Sequence, residues 1–431
     1  MECKYLTKNG VEIYSYKNPA QHGFFISLFL RAGSMFETSE NNGITHFFEH
    51  IAIRNINKLM DGRLYAALDK RGVEFNASTY SEMVQFYISG AKDKFSFASE
   101  VIAKIFSPIV LDKQEIDVER KRIKAEIREA DDKSSLTTFS NGIVHAGTSL
   151  AYPITGTLSG VDKINAKRLE EYRSSVLTAK NAFFYITGCF DDSDLTYLAS
   201  LIEKSDIALS GCYNENIAQL CCEHFKRQRR VSVKNSDFTS IRFSFDLDMK
   251  KLTVPETDLL YDMLFSGYNS RFFVEMSEQR GLFYDLSGTV ERYKNIGELC
   301  FSYEVRGKDL EDAVKLTVDI LNEFKKTLHA PDSLMKCGYV DNAYMLYDDL
   351  RELNFTFAYD NHIMDIGYPS LEERRAAYAA VTPADIMWAA NEIFTLDNLT
   401  VTVKGNKKKI NTESLLNIIS ELEENERRKN D

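Results

Sequence analysis

The run HFFEH at residues 46–50 is where residue types and spacing permit chemistry. On a helix advancing about 100° per residue, His46 and His50 lie about 40° apart, with Glu49 about 60° to the other side of His46. Two imidazoles and a carboxylate therefore share one arc. Imidazoles at i and i+4 are the spacing by which one helix binds a single zinc, and the carboxylate between them is placed to take a proton from water that the metal activates. The order is HxxEH, inverted from the commoner HExxH. A catalytic zinc takes three protein ligands and leaves one position to water, so a third ligand must come from elsewhere. The charged stretch from 112 to 131 reads as a helix and offers Glu115, Glu119, Glu126 and Glu129. Glu119 and Glu126 are seven apart, about 20° from each other, and form one acidic stripe. One would ligate and the other support it; spacing alone leaves open which.

The elements that must position these groups follow from pattern. VEIYSY and FFISLFLRAG, rich in aromatic and branched residues, read as strands, and the apolar positions 44, 47, 48 and 51 give HFFEH helical spacing. Asn41 or Asn42 is the expected N-cap of that helix, and Gly72 the expected C-cap of the next. VEFNASTYSEMVQFYIS reads as two strands turning near Tyr80 and Ser81. The stretch from 206 to 228 is polar and irregular and reads as a linker. Beyond it the order of elements repeats, RLYAALDKRGVEFN being echoed by RFFVEMSEQRGLFYD. The expected fold class is α+β, with two homologous mixed α/β domains from an internal duplication. The N-terminal domain, 1–205, carries HFFEH, and the C-terminal domain, 229–431, lacks it.

Composition narrows the function class. With 44% hydrophobic and 27% charged residues among 431, the chain can bury large cores without staples. A net charge of -11 argues against a nucleic-acid surface. The N-terminal residues show no apolar signal region, and no long uncharged apolar stretch occurs, so the expectation is a cytoplasmic protein with no membrane association. The seven cysteines are scattered without a CxxC pair and read as reduced thiols. Cys221, Cys222, Glu223 and His224 are consecutive and so point in different directions, which prevents them from converging on one ion. His22, His145, His329 and His362 stand alone and read as packed or surface residues.

HFFEH followed by ERKRIKAEI at 119–127 resembles the pitrilysin-type zinc metallopeptidases, a family that includes the mitochondrial processing peptidases. The size of the chain is similar to the short bacterial branch. The resemblance implies Glu126, 76 residues after His50, as third zinc ligand, Glu49 as general base and Glu119 as a supporting catalytic carboxylate, with one Zn2+ per chain. FNASTYSE resembles a strand that receives peptide by edge pairing, through Asn76, Ala77, Ser78 and Thr79. YPITGT and EQRGLFY match further family segments, the latter implying Tyr284 as a substrate contact. One departure stands out: where active members carry an Arg seven residues before that Tyr, this chain has Ser277. The family also implies that the chain forms half of a clamshell chamber, closed by a homodimer partner or a homologous subunit in a heterodimer. The expected function is a zinc endopeptidase acting on short or unfolded peptides, the alternatives being a catalytic subunit dependent on a partner and a non-catalytic scaffold subunit.

Overall fold

The computed structural model describes residues 2–423 apart from Ser134, Ala208, Ser210, Cys212, residues 216–230 and 236–238, Tyr284 and residues 332–335. Tyr284, the 221–224 run and most of the 206–228 stretch lie outside the described residues. In chain order the first half comprises β1 (Cys3–Leu6), β2 (Glu12–Lys17), β3 (Gly23–Leu30), α1 (Ile44–Leu59), α2 (Leu64–Arg71), β4 (Glu74–Thr79), β5 (Val84–Ala91), α3 (Phe95–Ala103), α4 (Lys113–Lys133), α5 (Ser135–Val144), α6 (Leu158–Lys163), α7 (Ala166–Val176), β6 (Ala182–Gly188) and α8 (Asp192–Glu203). The second comprises β7 (Val231–Asn235), β8 (Thr239–Asp248), α9 (Val254–Phe265), β9 (Leu286–Tyr293), β10 (Ile296–Val305), α10 (Leu310–Lys326), α11 (Leu350–Ala358), α12 (Leu371–Ala380), α13 (Pro383–Ile393), β11 (Leu399–Gly405) and α14 (Thr412–Ile419). No helix among the described residues is long and apolar enough to cross a membrane.

The two sheets are the same design. The first runs β1-β2-β6-β3-β5-β4 and the second β7-β11-β8-β10-β9, so apart from β1 the order of equivalent strands is identical. In each, one pair is parallel (β2 with β6, β7 with β11) and the other neighbours are antiparallel. The chain thus contains two mixed α/β domains of one topology, as the repeated sequence order requires.

The compact units interleave in sequence. One comprises Met1–Lys133, Ser149–Asn216 and Tyr344–Ser370, the other Ser134–Thr148, Ile217–Ala343 and Leu371–Asp431. Strand β3 is buried along nearly its whole length, which requires cover on both faces of the first sheet. Helix α11 supplies part of it: Ser27 Oγ donates to Asn354 Oδ1 at 2.6 Å, and Asn354 Nδ2 donates to the Tyr185 carbonyl at 2.9 Å. In the other unit α5 lies on β8 and β11, with Ser140 Oγ 2.5 Å from Thr402 Oγ1. Just beyond it, buried His145 reaches Glu298 at 3.2 Å.

Candidate metal centre

Helix α1 enters the first core on Ile44, Phe47, Phe48, Ile51 and Ile56, all buried, and this face fixes how His46, Glu49 and His50 turn inward. Its start differs from expectation. Gly43 occupies the N-cap with φ 93° and makes no side-chain cap. The exposed N–H groups go instead to buried Glu37, whose Oε2 accepts from Gly43 N at 2.8 Å and Oε1 from Thr45 N at 2.9 Å. A carboxylate at a helix N-terminus satisfies both the donors and the dipole. Asn42 is used differently: it donates to Glu37 at 2.9 Å and to the Pro153 carbonyl at 3.1 Å. The YPITGT segment packs here, and a Cβ on Gly156 would stand 2.5 Å from Gly43 Cα, so both residues must be glycine.

Helix α4 lies against α1 through buried Ile116, Ile123 and Ile127. Arg120 fastens it further, donating to the Ile164 carbonyl at 2.7 Å and also to that of Val161. Both stripe carboxylates are thereby brought to the histidines. Glu126 Oε1 lies 3.5 Å from His46 Nε2, and its Oε2 lies 3.6 Å from His50 Nε2. Glu119 sits on the other side of the His50 ring, Oε2 being 3.5 Å from Nδ1. Arg54 Nη1 donates to Glu119 Oε1 at 2.6 Å, and Arg122 Nη1 donates to the same oxygen at 3.0 Å. Glu115 pairs with Lys58 at 3.0 Å.

One ligand atom from each of His46, His50 and Glu126 falls within 4.8 Å of the others. The donor set fits zinc. Four ligands at roughly 2.0–2.1 Å in a tetrahedron stand roughly 3.3–3.4 Å apart, close to the 3.5 and 3.6 Å found. At 3.5 and 3.6 Å these contacts lie at the outer limit of hydrogen bonding, and they match the spacing of ligands around one ion. The Glu126 side chain is 46% exposed, which leaves that side open.

The electrostatics divide the two histidines. Burial, with His50 adding to it, pushes His46 down to about 4, so its ring is neutral at pH 7. Burial opposes the charge on His50 as well, but the Glu119 and Glu126 carboxylates outweigh it and raise His50 to about 9. Burial also raises Glu49, partly offset by the Thr79 hydroxyl, which donates to Oε2 at 2.5 Å, and by His50. Glu126 is lowered, chiefly by its contact with His50.

Strand β4 carries Asn76, Ala77, Ser78 and Thr79 at the free edge of the first sheet, paired on one side only, with β5. Beside it a cavity of about 520 Å³ is walled by Glu49, His50, Ile53, Arg54, Asn76 and Arg122. In the second unit Ser277 lies in a π-helical turn, Phe273–Glu278, and its hydroxyl donates to the Phe283 carbonyl at 2.8 Å. Spacing singles out neither Glu37 nor Arg54. Arg54 did leave a signal, standing at i+4 from His50.

The family described as Insulinase (Peptidase family M16) matches residues 12–158, and that described as Peptidase M16 inactive domain matches residues 163–332. The chain belongs to the M16 peptidase family. It is 24% identical over 301 residues to an uncharacterized zinc protease of Bacillus subtilis, a match spanning 69% of this chain and 72% of that one. It is 27% identical over 210 residues, 48% of this chain and 43% of the relative, to cytochrome b-c1 complex subunit 1 of Bos taurus. A protease from Helicobacter pylori has the same fold, with a TM-score of 0.84 at 16% identity over 94% of this chain and 99% of that one. The proteins similar to this chain thus include both proteases and a cytochrome b-c1 complex subunit by name.

Proposed function

We propose that this M16 chain is a zinc endopeptidase that cleaves short or unfolded peptides. The observation that carries the reading is the convergence of His46, His50 and Glu126 within 4.8 Å, with buried Glu49 lining the same cavity as His50. His46 and His50 would hold the ion through Nε2, and Glu126 through its carboxylate. When bound, zinc supplies Lewis acidity to the scissile carbonyl and brings the pKa of water to about 7. Glu49, fixed at Oε2 by Thr79, accepts the proton of the attacking water on Oε1 and returns it to the leaving amine nitrogen. Its burial raises the carboxyl toward the range where both transfers are favourable. The free edge of β4 at Asn76–Thr79 receives the peptide as an added strand, and Tyr284 is a further substrate contact implied by the EQRGLFY segment. The test is metal content and peptide hydrolysis of the purified chain beside Glu49→Gln. Zinc at one per chain with hydrolysis lost only in the variant supports the reading, whereas a chain without zinc ends it.

Ser277 favours a second reading, a catalytic subunit whose partner supplies the missing guanidinium. A serine whose hydroxyl is committed to Phe283 cannot replace a charge-assisted clamp on peptide. The relative named as a b-c1 complex subunit motivates a third, a scaffold subunit. The complete donor set weighs against it. A cytoplasmic homodimer or heterodimer is part of the proposal, and native mass on protein from its own source separates the two.

A further inference from the structure

We propose that Arg54 is a positioning residue of this centre, acting through Glu119 on His50; the inference rests on the zinc reading above. On α1, His46, His50 and Arg54 follow at i, i+4 and i+8, successive steps of about 40° along one stripe. The helix that carries two ligands therefore also carries the group that holds a ligand's partner. The two oxygens of Glu119 are divided between tasks: Oε1 accepts from Arg54 at 2.6 Å and from Arg122 at 3.0 Å, while Oε2 faces His50 Nδ1 at 3.5 Å. The terminal torsion of a glutamate is broad, so one occupied oxygen is what sets the direction of the other. With Oε2 held toward Nδ1, the ring donates its Nδ1–H there and keeps the Nε2 lone pair for the ion, the second layer by which ligand imidazoles are aimed.

Arg54 does more of this than Arg122. Its side chain is 26% exposed against 66% for Arg122, so water competes less for its contact. The opposite ligand shows what is missing without such an arm: His46 Nδ1 is buried and meets no hydrogen-bond partner among the described residues. On its Nδ1 side that ring is held by packing, so the arm acts on one histidine of the pair.

The full-length chain is tested with zinc and with cobalt as the spectroscopic probe. Affinity is measured by chelator competition for wild type, Arg54→Ala and Arg54→Lys, each also in a Glu119→Gln background. Arg54→Ala should weaken zinc roughly 10-fold and shift the visible absorption of the cobalt form. Arg54→Lys should restore most of both, because the contact uses a single N–H. In the Glu119→Gln background Arg54→Ala should cost nothing further, the signature of one shared pathway. Wild-type affinity and spectrum in Arg54→Ala, or an equal loss in both backgrounds, overturns the inference while leaving the zinc site standing. A wild-type chain that binds neither ion overturns the zinc reading and this inference with it. Should Arg54→Ala fail to fold, Arg54→Met keeps the apolar stem and carries the same expectations.

Discussion

Strand β4 gives Thr79 to Glu49 on α1, and at the equivalent place in the second unit strand β9 gives Arg292 to Asp258 on α9. The sequel differs. Asp258 also accepts from Tyr378 at 2.5 Å, and Asp262, one turn on, accepts from Tyr339 at 3.1 Å. The two phenol rings stack at 4.2 Å, so the polar face of α9 is closed on itself by charge, hydroxyl and ring. On α1 the corresponding face ends in imidazole nitrogens and a part-exposed carboxylate that meet only at 3.5 and 3.6 Å. One frame thus carries two kinds of polar face. A satisfied network rigidifies its domain, and a convergent set held only by long internal contacts is where an outside ion or substrate gains most.

The largest effect expected on that contrast comes from the base. Glu49→Gln should retain zinc yet lose roughly two to four decades of peptide hydrolysis, since an amide cannot accept the water proton. Asp258→Asn, the matched change in the second unit, should leave the turnover of the folded protein unchanged. If both variants lose hydrolysis equally, the contrast between open and closed faces is not one of chemistry.

The acidic stripe gives the next effect. Glu126→Gln should empty the site, whereas Glu119→Gln should weaken zinc by roughly 10- to 100-fold through the orientation of His50. Metal analysis of the two dialysed proteins orders them, and the reverse order would exchange the roles.

How far residues alone lead is clearest at these positions. HFFEH carries its own geometry, because 3.6-residue periodicity places three side chains without reference to anything distant. Gly72 is equally local, closing α2 in the left-handed conformation at φ 61° as its type and place suggest. Glu119 and Glu126 share a stripe, so only the height at which α4 packs on α1, set by Ile116, Ile123, Ile127 and Arg120, decides which one meets which nitrogen. Glu37 is invisible for a related reason: a cap folded back across six to eight residues leaves no local spacing to read. The interleaving of the units is of the same kind. Residues 350–358 form a helix with an apolar face, and no local spacing in the sequence says which sheet that face covers.

A smaller change tests whether the second unit takes part at all. A charge-assisted contact contributes about 1.5–3 kcal/mol, so the guanidinium absent at Ser277 corresponds to roughly one to two decades of rate. Ser277→Arg should raise the activity of the isolated chain by up to that factor if the π-helical turn presents position 277 to peptide, and mixing with a homologous subunit that carries the Arg should do the same in trans. High activity from the unaltered chain, indifferent to the substitution, would make the departure neutral and a homodimer sufficient. The Ser277 hydroxyl bond to Phe283 is lost in this variant, so its folded state must be verified by melting beside the wild type.

The smallest effect on catalysis is expected from the buried charges of the second unit, where acid should act on stability instead. Burial would raise the Glu298 carboxyl, but His145 at 3.2 Å and Arg242 at 3.1 Å outweigh it and hold it well below its ordinary value of 4.5. A carboxylate depressed in the folded state stabilises fully above its unfolded pKa, and that contribution fades as pH falls from about 4.5 toward the lower folded value. Neighbouring Glu291 opposes this, since burial first and Glu298 second raise it, so it disfavours the folded state at neutral pH and less so in acid. The Glu298 contacts are charge-assisted on two sides, and the balance should favour acid destabilisation of this unit. Glu298→Gln should cost about 1.5–3 kcal/mol at pH 7 and flatten the melting temperature between pH 5 and pH 3, while zinc content and turnover of the folded protein stay as in wild type. An unchanged slope of melting temperature with pH would mean that the closed cluster, unlike the open one on α1, is silent to protons.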